Sequence, residues 1–496
     1  SQAGGGQQSG IFYSQAIFNP NGSIANWTSW KRTGGSAKNV FGLQFDVFLS
    51  SITYIQSADN QIANANSVYT TTWSTGLSSF ENLVSQELSP TNDGVQGLYN
   101  FSPETLSFNQ TSSERTSLTV LTGYNKVLIL QDGKDDSSGN FGPNEKFGTI
   151  DFTSTDGSLS NFVEAQAGLS ISGGDLEGLG AIISCAVGTD GINGWIFVGG
   201  NGGLAVLCDS NGNGWSATPG LAENFVGLNN NLRFKKIGNF KNVRKLVACN
   251  NKLYVLTTDA LERVDLSANL FQDNAQFGST NLASPNGLPG GGRNFYFADF
   301  IAKGSLGILT TSSGIFRSGI SSNIQTSQNQ IDAGWLYIKL NESVGPSTRI
   351  YDINFGEQDS GIANLYLINS YVGFNQARIY RLAVNNLNPS QTQIFPFNDI
   401  FVNGIPTFFI NLGTYRNNVY TDGSNLFLSR SKYVENSPFL ELITLNTIFN
   451  NTQARSSNPR YLNLKIDKNK SVGKLLRTAG SGDYILSGDF GIRYNG

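Results

Sequence analysis

The sequence of 496 residues contains no histidine and no methionine. Without histidine the chain cannot build a Ser-His-Asp triad, a histidine general base, or a zinc or haem site with a histidine ligand. Most hydrolase and metalloenzyme classes are excluded on this ground. Methionine depletion suits an oxidising exterior, because methionine is readily converted to its sulfoxide there. The start at Ser1 predicts a processed end with a signal peptide removed, so we expect an extracellular or cell-surface location.

Charged side chains are also scarce. They make up 14% of the chain, against about 25% in an average soluble domain, and the formal net charge is -3. A chain without a basic excess does not attract a nucleic-acid backbone, so we expect no nucleic-acid partner. Apolar runs are too short for a transmembrane helix, and we expect no transmembrane segment.

The sequence does contain one repeated unit, in which short apolar strands alternate with turns rich in Gly, Asn and Asp. We call each copy of this unit a phrase. The clearest copy runs from Val243 to Leu266, and copies recur roughly every 50 to 70 residues, as in repeat architectures. The other copies span residues 41–73, 118–152, 182–207, 295–316, 350–384, 408–445 and 475–494. Runs of four to six residues rich in Val, Ile, Phe and Tyr predict strands and not helices.

The phrases predict an all-β chain folded as a single β-propeller of seven or eight blades, whose strands are covered on both faces by neighbouring blades. The last phrase supplies three strands, one fewer than a blade normally has. We expect an N-terminal strand within residues 26–33 to be the outer strand of the final blade and to close the ring, which would remove an exposed edge. A surface strand outside the ring is the alternative.

The domain prediction has two parts. Residues 1–20 are expected to form a flexible N-terminal tail with a connector strand, and residues 21–496 the propeller domain. The strand-like segment Ile11 to Phe18 is expected either to pack along the rim of its own propeller or to add to a sheet edge of a neighbouring subunit.

The strongest local motif for a metal is the segment from Asp209 to Gly214. It matches the first half of a calcium loop, with oxygen-bearing side chains on alternate residues Asp209, Asn211 and Asn213. The position of the bidentate glutamate is Gly220, so the motif predicts at most a weak calcium loop, and an ordinary hairpin turn is the alternative. Calcium is the one cofactor considered, and otherwise none is expected.

Other acidic groups offer weaker candidates. Asp132, Asp135, Asp136 and Glu145 could hold a cation or form a solvated loop. Glu357 and Asp359 are a candidate carboxylate pair for glycoside hydrolysis, a chemistry that needs no histidine.

Three cysteines do not indicate a disulfide scaffold. Cys185 and Cys249 occupy matching places in consecutive phrases, which predicts that they lie on inner strands of adjacent blades. They are expected to be buried free thiols, or alternatively to form a bridge with each other or with Cys208. A catalytic cysteine is not expected without a histidine partner.

Two segments place Asp, Gly and Trp in close order, from Asp190 to Trp195 and from Asp209 to Trp215. They resemble degenerate forms of the Asp-box turn of sialidase-like propellers, and the chain as a whole resembles the broad superfamily of extracellular propellers. Val187 or Gly188 near the first segment and Leu207 near the second stand where an Asp-box has Ser or Thr, so the resemblance implies a turn and no sialidase activity.

These observations favour a secreted, noncatalytic propeller that acts as a structural or adhesive component of a cell surface, extracellular filament or particle coat. Its expected partner is another copy of itself or another surface protein. The alternative is a carbohydrate-binding or carbohydrate-active propeller with a glycan partner, in which exposed aromatic rings stack on sugars. The tryptophans considered for that role are Trp27, Trp30, Trp73, Trp195, Trp215 and Trp335.

Overall fold

The computed structural model describes residues 176–216 and 233–282 without a break, together with the strands given below and single positions at 20 and 124. The described part of the chain is made almost entirely of antiparallel β-sheets. Its one α-helix has four residues. The all-β class predicted from the short β-branched and aromatic runs is therefore confirmed.

The first half of the chain forms three sheets after three N-terminal strands. Those strands are β1 (Gly10–Phe18), β2 (Ile24–Trp27) and β3 (Lys31–Thr33). The first sheet comprises β4 (Val40–Asp46), β5 (Ser51–Ser57), β6 (Asn66–Thr72) and β7 (Gln86–Glu87). The second comprises β8 (Gly97–Phe101), β9 (Ser117–Gly123), β10 (Lys126–Asp132), β11 (Gly148–Phe152), β12 (Gly157–Ser160) and β13 (Ser170–Ile171). The third comprises β14 (Ile182–Thr189), β15 (Asn193–Gly200), β16 (Gly203–Cys208), β17 (Trp215–Ser216) and β18 (Arg233–Ile237).

The second half continues in the same way. The fourth sheet comprises β19 (Lys245–Cys249), β20 (Lys252–Leu256), β21 (Leu261–Asp265) and, after the helix α1 (Ala268–Phe271), β22 (Thr280–Asn281). The fifth comprises β23 (Phe297–Lys303), β24 (Leu306–Thr311), β25 (Ile315–Gly319) and β26 (Leu336–Ile338). The sixth comprises β27 (Arg349–Phe355), β28 (Ile362–Ser370), β29 (Ala377–Asn385) and β30 (Gln393–Pro396).

A two-stranded ladder and a seventh sheet precede the C-terminal strands. The ladder pairs β31 (Phe401–Val402) with β32 (Ile405–Pro406). The seventh sheet comprises β33 (Val419–Thr421), β34 (Asn425–Ser429), β35 (Leu440–Thr444) and β36 (Arg460–Tyr461). The remaining strands are β37 (Lys465–Ile466), β38 (Ser471–Arg477), β39 (Asp483–Asp489) and β40 (Ile492–Arg493).

Apart from β17, strands that follow one another along the chain lie side by side in each of the seven sheets. Each sheet also meets the next through its first strand. The contacts join β4 to β8, β8 to β14, β14 to β19, β19 to β23, β23 to β27 and β27 to β33. Further contacts join β34 to β38 and β38 to β4, so the strands at the end of the chain lie against the first sheet.

The two chain ends share one sheet, which we call the terminal sheet, with the order β2-β1-β39-β38. The expected outer strand within residues 26–33 is divided in two. Both β2 and β3 pair with β1, and β1 itself pairs with β39. The third strand of the last phrase, β40, pairs with β37 instead. The segment expected to pack along the rim or against a neighbour therefore lies inside a sheet of its own chain.

The apolar core lies in layers between successive sheets. The second and third sheets enclose a layer that includes Val120, Cys185 and Ile196, and the third and fourth enclose one that includes Trp195, Phe197 and Val255. The fourth and fifth enclose a third layer around Tyr254 and Phe300. Strand β15 is buried at seven consecutive positions because one layer covers each of its faces. Near-continuous apolar runs covered on both sides are what the sequence predicts.

Candidate functional site

The candidate calcium loop lies between β16 and β17. The carboxylate of Asp209 is buried, and its Oδ1 accepts hydrogen bonds from the backbone N–H groups of Asn211 and Asn213, both at 2.8 Å. Its Oδ2 accepts a bond of 3.2 Å from the side-chain Nδ2 of Asn213. The backbone N–H of Asp209 donates to the carbonyl of Asn213 at 2.9 Å, which closes the loop.

The three predicted ligands thus lie in one turn, but in this conformation two of them act as donors to the first. The Asp209 carboxylate holds the turn as an acceptor, in the manner of an Asx-turn. Among the residues that the structure describes, no three His, Cys, Asp or Glu side chains are grouped as a metal site.

The turn between β14 and β15 repeats this arrangement. The Oδ1 atom of Asp190 accepts hydrogen bonds from the backbone N–H groups of Ile192 at 2.9 Å and Asn193 at 2.7 Å. Gly191 has a φ of 93°, which a residue with a side chain rarely adopts. Both Asp-Gly-Trp segments therefore use their aspartate to shape a turn, as the resemblance to Asp-box turns implies.

Trp195 connects the two turns. Its side chain is completely buried, and its indole Nε1–H donates to the carbonyl of Gly212 at 3.0 Å. Its ring packs edge-on against Phe271, with a centroid distance of 5.2 Å. A buried ring cannot stack on a sugar, so the carbohydrate role considered for Trp195 is not supported. The side chains of the other five tryptophans lie outside the described residues.

Gly212 is the point at which the candidate loop packs closely against α1. It has a φ of 78°, and a Cβ atom there would lie 2.1 Å from the carbonyl oxygen of Ala268 and 2.7 Å from the backbone nitrogen of Gln272. The backbone of α1 thus lies against the candidate loop. Glycine at this position lets the loop and the helix touch, which is a structural reason for the Asn-Gly pair that a metal motif also contains.

The same side of the third sheet carries a small charged cluster. Asp273, just after α1, forms ion pairs with Arg233 at 2.6 Å and Lys235 at 3.2 Å, both from β18. Hydrogen bonds from these two cations lower the pKa of the Asp273 carboxyl. The Nζ of Lys235 also donates to the carbonyls of Phe271 and Gln272 at the end of α1. The cluster fixes α1 against the edge strand β18.

All three cysteines are free thiols. Cys185 lies in the layer between the second and third sheets, whereas Cys249 packs against the layer between the fourth and fifth. Their side chains therefore point into core layers separated by a third one, and the structure does not support the Cys185–Cys249 bridge considered from the sequence. Burial raises the pKa of the Cys185 thiol, and it raises that of Cys208 to about 12, so both are protonated at neutral pH.

Of the other acidic candidates, Asp132 ends β10. The candidates Asp135, Asp136, Glu145, Glu357 and Asp359 lie outside the described residues.

The structure reveals a recurring feature that the sequence did not suggest. In four sheets the first strand, and in the terminal sheet β38, has a break in register within its first three residues, so that one residue is skipped and the strand forms a β-bulge. The skipped residues are Gly42, Ile183, Ala298, Tyr351 and Gly473. We call these positions the inner-strand bulges.

At the bulge of β14, side chains of the second sheet bind the released carbonyls. Thr122 Oγ1 donates to the carbonyl of Ile182 at 3.1 Å, and the Tyr99 hydroxyl donates to that of Ile183 at 2.9 Å. The residue after the bulge, Ser184, accepts a 2.8 Å bond from the backbone N–H of Leu246 in the fourth sheet. One bulge therefore joins three successive sheets.

The bulge of β23 is bound in the same way by the fourth sheet. Arg244 donates to the carbonyl of Phe297 at 2.9 Å, and Lys245 forms an ion pair of 2.6 Å with the largely buried Asp299. A bulge frees backbone groups from the ladder and re-aims the next side chain. The sequence signal for such a bulge is a polar residue, Ser184 or Asp299, near the start of an otherwise apolar strand. A fully buried strand without a bulge would have an apolar residue at that position.

Four of the described aspartates make structural contacts. Asp190 and Asp209 shape turns, Asp273 anchors α1, and Asp299 joins two sheets. The described residues include no helix that is long and apolar enough to span a membrane.

No family model matches the sequence, and no curated protein matches it. Among solved structures, the WD40 domain of SCAP from fission yeast is 10% identical, with 91% of each chain covered and a TM-score of 0.42. AztD from Citrobacter koseri is 10% identical, with 88% of this chain and 92% of that chain covered and a TM-score of 0.39.

The extracellular domain of BT4673 from B. thetaiotaomicron is 12% identical and has a TM-score of 0.38. The match covers 94% of this chain and 53% of that domain, so the chain spans about half its length. TM-scores this low carry no argument about the fold or function of this chain.

Proposed function

We propose that the chain is a secreted β-propeller of eight blades, closed by its N-terminal strands, that acts as a noncatalytic structural or adhesive component of a cell surface, extracellular filament or particle coat. Support for the architecture comes from the contacts between first strands of successive sheets, which lead from β4 through β33 and return by β38 to β4. The seven sheets and the terminal sheet each have four or more strands, as blades do.

The observation that carries the functional proposal is the use of polar side chains at the inner-strand bulges. Ser184 and Asp299 are buried, and each is bonded to a neighbouring sheet. Buried polar groups that are fully hydrogen-bonded make a rigid, uniquely ordered arrangement. A rigid ring suits a building block that must present the same surface in every copy.

Electron microscopy of the natively isolated protein, negatively stained, tests this proposal. We expect ordered filaments, sheets or shells made of repeating rings. Dispersed single rings would contradict the structural role, and a glycan-binding screen would then test the alternative partner. Objects without a ring shape would contradict the propeller itself.

A further inference from the structure

The two ends of the chain meet at a single ladder. Strand β1 pairs with β39 in an antiparallel register that extends from Gly10 opposite Gly488 to Gln15 opposite Asp483. On its other edge β1 pairs with β2 and β3. These three strands form one unit, residues 10–33, which we call the N-terminal unit, and its ladder to the rest of the terminal sheet is the one between β1 and β39.

Strand β39 depends on β1 to cover one of its edges. Its other edge is paired with β38, and β40, which follows it directly in sequence, pairs with β37. If β1 left, β39 would present a row of unpaired N–H and C=O groups. Such an edge is a template for a strand of another chain.

The strand of another chain that matches this edge is known from the structure itself, because every copy carries the same β1. We propose that β1 is exchanged between copies, so that in the assembly β1 of one chain pairs with β39 of the next in the register seen within one chain. The exchanged ladder contains the same hydrogen bonds as the closed one, which makes strand exchange a low-cost route to association. This inference rests on the proposed self-assembling function.

The length of the chain between the N-terminal unit and the first sheet limits the geometry. Residues 34–39 connect β3 to β4, and a fully extended residue spans at most about 3.6 Å, so the connection reaches roughly 20–25 Å. Copies that exchange β1 must therefore be in direct contact. An ordered filament or sheet brings neighbouring copies this close, whereas dilute separate rings do not.

Disulfide trapping distinguishes exchange from closure. Ile11 and Ser487 are register partners in the β1–β39 ladder. One chain carries Ile11→Cys and a second carries Ser487→Cys, each with Cys249→Ser to remove the half-buried native thiol. The two chains are unfolded together, refolded and assembled as a mixture, then oxidised and separated on a non-reducing gel.

Exchange predicts that a covalent heterodimer of the two variants accumulates in assembled material and is lost on reduction. Closure within each chain gives no heterodimer and overturns the proposal. A chain that carries both substitutions is the positive control for the geometry, since it must cross-link in either case. Ile17→Cys mixed with Ser487→Cys is the matched negative control, because Ile17 is 51% exposed and lies beyond the residues that pair with β39.

The result also separates this inference from the proposed function. Ordered assemblies without heterodimers would overturn strand exchange and leave the structural role in place. Heterodimers found in isolated pairs of rings, without ordered assemblies, would support exchange and contradict the structural role. Dispersed rings without heterodimers would overturn both.

Discussion

The third and fourth sheets differ from the terminal sheet in how their strands are brought together. The third and fourth sheets are built from strands that follow one another along 182–281, and hairpin turns such as Asp190 to Asn193 set their register. The terminal sheet joins β1 to β39, whose paired residues are more than 400 positions apart in sequence. Bringing such distant segments together carries the larger entropy of loop closure.

This difference assigns separate roles to the two regions. The central sheets have local turns, three core layers and polar contacts at their bulges, so they supply rigidity. The terminal sheet can open without disturbing hairpins elsewhere, because its ladder is between chain ends. Because β1 joins β39 through this one ladder, the terminal sheet is the part of the molecule in which we propose the exchange.

The largest effect is expected at Trp195 in the central region. Trp195→Ala removes a buried ring and its hydrogen bond to Gly212, and we expect a loss of about 3–5 kcal/mol in the free energy of unfolding. Trp195→Phe keeps an aromatic ring and should cost less. Denaturant unfolding followed by circular dichroism measures both. A change as small as that of a surface substitution would contradict the central core as the source of rigidity.

Gly212 gives a comparison within the same region. Gly212→Ala forces a Cβ into the backbone of α1 and into a left-handed conformation, and overpacking of this kind costs roughly 1–3 kcal/mol. Gly278→Ala is the matched control, because a Cβ there meets nothing within 4 Å and its φ is not positive. The thermal unfolding midpoint should fall for the first variant and stay nearly unchanged for the second. Equal shifts would mean that the loop does not pack against α1.

In the terminal region, a proline in β1 should have a local effect. Ser14 pairs with Tyr484 of β39, and Ser14→Pro removes an N–H and places a rigid ring in a strand with neighbours on both sides. We expect β39 amides to lose roughly 1–3 kcal/mol of protection against hydrogen exchange, with β15 amides unchanged. Ser14→Ala is the control. Loss of protection in both sheets would show that the two regions unfold as one.

The sequence predicted the parts of the fold that local patterns determine. Each repeated phrase except the last coincides with strands of one sheet, as Val243 to Leu266 does with β19, β20 and β21, because hairpin turns link neighbours in sequence. The place of β1 could not be predicted in the same way. Its partner lies at the other end of the chain, so no local pattern links the two segments.

The candidate loop shows the corresponding limit for sites. A calcium loop and an Asx-turn both need an oxygen at Asp209 and a glycine at the bend, so the spacing alone cannot separate them. The orientation of Asn213, whose amide donates to Asp209, is decided by the fold. The bulges at Ile183 and Ala298 were missed because a one-residue shift leaves the apolar pattern nearly intact.

The thiol of Cys208 predicts a pH dependence of the central region. Burial raises its pKa from 9.0 to about 12, so the folded state keeps the proton that the unfolded state loses. Stability is then unaffected below about pH 9 and falls by about 1.4 kcal/mol per pH unit between pH 9 and 12. The comparison of wild-type protein and Cys208→Ala in denaturant at pH 8 and pH 10.5 isolates this contribution. If the two proteins lose equal stability between these pH values, the thiol is not buried as described.

The smallest effect is expected at the bulge that joins the central sheets. Ser184→Ala leaves the buried N–H of Leu246 without its acceptor, and a lost buried hydrogen bond of this type costs about 1–2 kcal/mol. Ser184→Thr retains a hydroxyl and is the matched control. Hydrogen exchange at Leu246 should accelerate in the alanine variant, while the turn at Asp190, on the opposite end of β14, should be unaffected.

Because Ser184 bonds to a neighbouring sheet and not within its own, the loss of protection against hydrogen exchange should appear in β19 as well as in β14. Acceleration confined to β14 would mean that the bulges do not connect successive sheets, and the distinction between a rigid centre and an exchangeable terminal sheet would lose its structural basis.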